Sequence, residues 1–277
     1  MHSLFLFLRT LITALYLLIG VSYFVLFFSK KSRFLRIIHI ITGIALVLHF
    51  SFLLAIGLEI GALPTQSLFE VMSVLAFLLA VITISIEIFT KQQSIGVFTF
   101  PFIFILQLIS FFDAGIVPLF EGIEESVFQL PLFSFHTLST VIGYSFFIYS
   151  MIIGVMYLRM FKQLKNKQFH LEYDNLPPLR LLERLNLVGL IVGFVFLTLG
   201  IIGGSLLAYR VWNTVPVRDP KILLSLLLWC IYLFGFMMKL FKKWGGKKMA
   251  YMSITGSIII AFSAFVVNLL FPTFHRF

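Results

Sequence analysis

A chain of 277 residues that is 60% hydrophobic and 12% charged, with a mean hydropathy of +1.07, is predicted to be an all-α polytopic membrane protein, and an ordinary soluble domain is excluded. The net charge of +10 has no soluble segment long enough to carry it as a folded basic surface, which excludes a nucleic-acid partner. The single cysteine, Cys230, excludes both a disulfide framework and a CxxC thiol pair, and is predicted to be a small core residue.

Lipid offers the backbone no hydrogen-bond partners, so long uncharged apolar runs must become helices. About eight such runs occur, at 10–28, 37–58, 67–89, 95–112, 136–158, 186–209, 222–238 and 249–271, predicting an integral helical bundle forming a single membrane domain over 1–277. The first is longer than a signal-peptide core and runs into a basic cluster, so it reads as a retained helix. Lys and Arg beside short loops resist translocation. Of the 21 such residues, 16 follow the first, third, fifth and seventh spans, from Lys30 and Lys31 to Lys247 and Lys248. Both termini are therefore predicted outside, in a cell inner (cytoplasmic) membrane, with the basic face against anionic lipid. The outer stretch 113–135 alternates acids with large apolar residues and is predicted to lie at the interface. A short surface helix is expected around Leu179–Leu185 in the cytoplasmic stretch 161–185.

The informative residues are the polar ones. His2 and His170 are expected in solvent, and His39 near an interface. His49 falls mid-span, where ionisable residues face the bundle interior. It is either a neutral histidine making an interhelical hydrogen bond or a contact for a ligand. His136 opens the fifth span and His275 follows the eighth, both on the predicted outer side. Two imidazoles on one face can ligate a metal axially, a haem iron in particular. Neutral imidazole is the ligand form, so such binding would weaken as pH falls through about 6.5. Glu70 lies one turn inside the third span and needs a partner, for which Arg210 and Arg218 are on the right side, whereas Glu87 is near enough to a helix end to snorkel. Between spans six and seven, Trp212, Arg218, Asp219 and Lys221 crowd a short outer connection, suggesting a shaped site, and Gly203–Gly204 suits close helix approach.

This loop carries a resemblance. Trp212, Asp219, Pro220, Lys221, Ser225, Leu226, Trp229 and Tyr232 follow in order the tryptophan-rich pattern WGxxWxWDPKE and the S-L-x-x-W-x-x-Y after it, as found in the CcsA/CcmC/CcmF family of haem-handling proteins. NLLFPTFH resembles the family's ending, PLFSFHTLSTVIGYSFF its first outer histidine segment, and LPTQSLFE its P-x-x-N-x-(Y/F)-E motif. CcsA, also called ResC, is the best-fitting branch, with HemX proteins close by. Pro216 and Arg218 occupy two of the tryptophan positions, Ile222 replaces the acid after the lysine, and Met237 stands where a histidine is often found.

The resemblance implies haem trafficking for covalent attachment to apocytochrome c. Haem b would be held by His136 and His275, with His49, Glu70, Arg210, Trp212, Arg218 and Asp219 as further contacts. Arg218 would pair with a propionate, and a CcsB/ResB-like membrane subunit would share any synthase activity. A second reading is a HemX-like regulator of haem biosynthesis, favoured by the chain's compact length and by the aromatics missing from this loop. A small-molecule transporter is disfavoured, since no broken helix pair or inverted repeat is evident.

Overall fold

In a computed structural model the described residues are 2–29, 33–112, 125–167, 175–215 and 217–264. They form nine helices, with no strand among them: α1 (His2–Ser29), α2 (Arg33–Ile60), α3 (Leu68–Thr90), α4 (Ser94–Phe111), α5 (Glu125–Phe128), α6 (Pro131–Asn166), α7 (Leu179–Trp212), α8 (Pro220–Leu240) and α9 (Gly246–Phe262). Seven of them are long and apolar enough to cross a membrane. The protein is thus a polytopic helical membrane bundle. The expected last span corresponds to α9, and its final residues, 265–271, lie outside the described residues.

The helix boundaries follow local chemistry. Ser67 caps α3, Asp219 caps α8 with Pro220 in its first turn, and Pro131 opens α6. Lys91, Lys167 and Asn213 close α3, α6 and α7 in the left-handed conformation, with φ of 57°, 53° and 54°. Two corrections result. Leu179–Leu185 is the first part of α7, because the Pro177–Pro178 pair precedes a helix that then runs unbroken to Trp212. α6 begins at Pro131, which leaves His136 in its second turn.

The chain divides into two compact units, 1–117 and 118–277. In the first, α1 packs on both α2 and α4, and α3 pairs with α4. Hydroxyls are tolerated inside because they bond the carbonyl four residues back, as Thr42, Thr83 and Thr99 do onto Ile38, Leu79 and Ile95. In the second unit α6 and α7 form the main pair, and α9 packs on α6. Asn186 of α7 fixes this register, donating to the Ser150 carbonyl of α6 at 2.7 Å and to Ser253 of α9 at 2.9 Å. At the edge, α8 is tied to α7 by the Lys239–Glu183 pair at 2.6 Å. It buries only Lys221, Leu228, Tyr232 and Gly235. Cys230 faces outward from this helix and is exposed, so it is not a core residue.

Candidate functional site

In the second unit, the start of α6, the end of α7 and the start of α8 lie at one end. The ring of His136 is half-buried against α7, with Nδ1 2.7 Å from the carbonyl oxygen of Gly200. A carbonyl only accepts, so Nδ1 carries the proton and a neutral ring keeps its lone pair on Nε2. This backbone partner fixes both tautomer and ring orientation, as is usual for a metal-ligating histidine. Gly204 provides the room, since a Cβ there would lie 2.7 Å from Cε1 and Nδ1 of the imidazole. The expected close approach at Gly203–Gly204 is therefore real, and its purpose is to seat His136 and Phe135.

Trp212 ends α7, eight residues beyond Gly204, which is about 12 Å along the axis. Arg210 and Arg218 are exposed, whereas Asp219 and Lys221 are buried, 5% and 8% exposed. The Asp219 carboxylate accepts the backbone N–H of Lys221 at 2.8 Å and of Ile222 at 3.4 Å. The Asp-Pro-Lys run is therefore a helix start, its acid a cap worth about 1 kcal/mol. Trp229 donates to Thr198 at 2.9 Å and stacks on Phe194, and Tyr232 stacks on Phe147 with ring centroids 4.4 Å apart. These two motif aromatics pack the helix interface. His275 lies outside the described residues, as does Pro216 in the loop.

In the first unit Glu70 is the third residue of α3 and closes a capping box with Ser67. Its Oε2 accepts the N–H of Gln66 at 2.7 Å and of Ser67 at 3.3 Å, while Ser67 Oγ accepts the Glu70 N–H. That answers the need for a partner through its own helix start.

His49 is fully buried with both ring nitrogens engaged: Nδ1 is 2.9 Å from Tyr16 Oη and Nε2 is 2.9 Å from Ser73 Oγ. Ser73 in turn donates to Gln107 Oε1 at 3.1 Å. That last donation sets the direction of the whole chain. Ser73 accepts from His49 Nε2–H, and Tyr16 O–H donates to Nδ1, so one neutral tautomer satisfies every link from α1 through α2 and α3 to α4. With Phe52 and Phe77 around the ring, this is the arrangement of a neutral interhelical histidine.

Sequence reasoning missed a second cluster. Glu87 does not snorkel, being 2% exposed, because Tyr23 Oη donates to Oε2 at 2.6 Å and His39 Nε2 lies 3.2 Å from Oε1. The available signal was an acid, an imidazole and a phenol at the same end of three successive spans.

The family model described as "Cytochrome C assembly protein" matches residues 65–275, which spans α3 to the chain's last residues. The cytochrome c biogenesis protein CcsA of Guillardia theta is 25% identical over 292 aligned residues, covering 96% of this chain and 94% of that protein. CcsA of Chlorella vulgaris is 27% identical, covering 78% of each chain. CcsA of Chlamydomonas reinhardtii is 29% identical over 51% of this chain, a match that spans only 39% of that relative.

Proposed function

Since the chain belongs to the cytochrome c assembly protein family and has a role in cytochrome c maturation, we propose that its specific task is to hold haem b at the outer membrane face for attachment to apocytochrome c. The observation that supports this reading is the seating of His136: a backbone carbonyl holds Nδ1–H, which fixes the tautomer and ring orientation that a metal-ligating histidine uses. Haem is the cargo here, and its vinyl groups are the sites of thioether formation.

The chain's own residues bind and orient. His136 supplies one axial ligand, and His275 is proposed as the second on the resemblance of NLLFPTFH. Arg218, which is exposed, is proposed to pair with a propionate, a charge-assisted contact of roughly 1.5–3 kcal/mol. Trp212 supplies the aromatic surface that remains in the loop. Catalysis would rest on holding haem and thiols in register, with any synthase activity shared with a CcsB/ResB-like membrane subunit. The basic-loop asymmetry supports both termini outside and the site on the outer side of the cytoplasmic membrane. His49 and Glu70 are assigned to structure, because their polar atoms are engaged within their own unit.

Haem staining of c-type cytochromes in cells lacking the chain, and complemented with variants, tests this function. Wild type and His170→Ala are expected to restore the stained bands. His136→Ala is expected to leave them at background while the chain itself accumulates normally. Full staining with His136→Ala would overturn the haem-presenting role and favour a HemX-like regulator.

A further inference from the structure

Haem handling makes no use of the acid buried near the end of α3. Glu87 has a side chain only 1% exposed, yet three helices build a site around it. Tyr23 of α1 is completely buried and gives its O–H to Oε2 at 2.6 Å. His39 of α2 brings Nε2 to 3.2 Å from Oε1. The position of Tyr23 is itself prepared by α4: a Cβ at Gly96 would fall 2.5 Å from its Cε1, and its ring stacks on Phe100 at 5.0 Å. Of the three groups, His39 is the one that reaches the surface, with its side chain 31% exposed.

We infer that Tyr23, Glu87 and His39 form a proton-exchange site, in which His39 carries protons between the membrane boundary and the buried carboxyl of Glu87. The step moves one proton and no electrons. The N–H bond at Nε2 of a protonated His39 breaks, an O–H bond forms at Oε1 of Glu87, and a charged pair becomes a neutral imidazole beside a neutral acid. Each carboxylate oxygen has its own partner, Tyr23 at Oε2 and His39 at Oε1, so the proton moves along a hydrogen bond that is already formed. The other charged residues at this end of the described helices are Arg33 and Arg36 on α2 and Lys91 after α3, of which Arg36 and Lys91 are exposed. They favour the carboxylate weakly, screened as surface charges are. α4 carries no titratable side chain, and α1 contributes only Tyr23 at this end.

The test is infrared difference spectroscopy of the full chain in phosphatidylcholine vesicles, between alkaline and acid buffer. Among the carbonyl bands of protonated carboxyls that grow on acidification, one component is expected to be lost in Glu87→Gln while those of the other acids remain. Tyr23→Phe should shift the frequency of that component. His39→Ala should slow its exchange with deuterated buffer roughly a hundredfold, the scale of a lost proton-transfer group. Identical carbonyl bands in wild type and Glu87→Gln, or wild-type exchange of the Glu87 component in His39→Ala, would each overturn the site. Should Glu87→Gln fail to fold, the Tyr23 and His39 variants still decide, because both keep the Glu87 carboxyl.

Discussion

Replacing His49 with alanine is expected to destabilise the α1–α4 unit by about 3–5 kcal/mol, the range for emptying a large buried position and stranding its polar partners. The ring is fully buried, and its removal leaves Tyr16 Oη and Ser73 Oγ without their bonds at 2.9 Å. Hydrogen bonds between membrane helices are modest, averaging about 0.6 kcal/mol, so most of the loss should come from the cavity. His49→Phe separates the two, because it fills the space and removes both bonds. It should cost about 1–2 kcal/mol, two such bonds plus imperfect packing. Unfolding of the detergent-solubilised protein in a denaturing-detergent titration measures both. Equal losses for the two variants would show that hydrogen bonding, not packing, is what His49 supplies.

Gly204→Ala is expected to weaken haem retention by roughly ten- to a hundredfold, the range for disturbing the outer partners of a metal-ligating histidine. The added methyl would lie 2.7 Å from the imidazole carbon and nitrogen, so the ring must turn, and its 2.7 Å bond to the Gly200 carbonyl cannot survive unchanged. The backbone is already helical there, so α7 itself should persist. Haem titration of the purified variant against wild type reads the effect. Gly245→Ala is the control, since nothing lies within 4 Å of a Cβ there, and it should bind as wild type does.

The membrane bundle was legible because apolar runs of this length permit no other backbone solution. Helix starts were equally readable in principle, since Ser67-x-x-Glu70 is a capping box and Asp219-Pro220 a capped first turn. The resemblance implies a ligand role for Glu70 and Asp219 as well, because the same residues sit in the family motifs. Contacts across helices were not legible. Whether Glu87 snorkels or is buried depends on Tyr23 and His39, which arrive from helices whose rotation one sequence does not specify. Cys230 went astray for the same reason: α8 covers a single face, and the residue two positions after Leu228 falls on the other. The seating of His136 depended on a backbone carbonyl, Gly200, that no side-chain pattern reveals.

The absorption spectrum of purified haem-loaded protein, wild type beside His136→Ala and His275→Ala, tests the account most directly. Two axial imidazoles are expected in the wild type, and each single replacement should change the spectrum by removing one. His2→Ala and His170→Ala should leave it untouched. An unchanged spectrum in the double His136→Ala, His275→Ala protein would contradict the assignment, since the iron would then be held by neither residue.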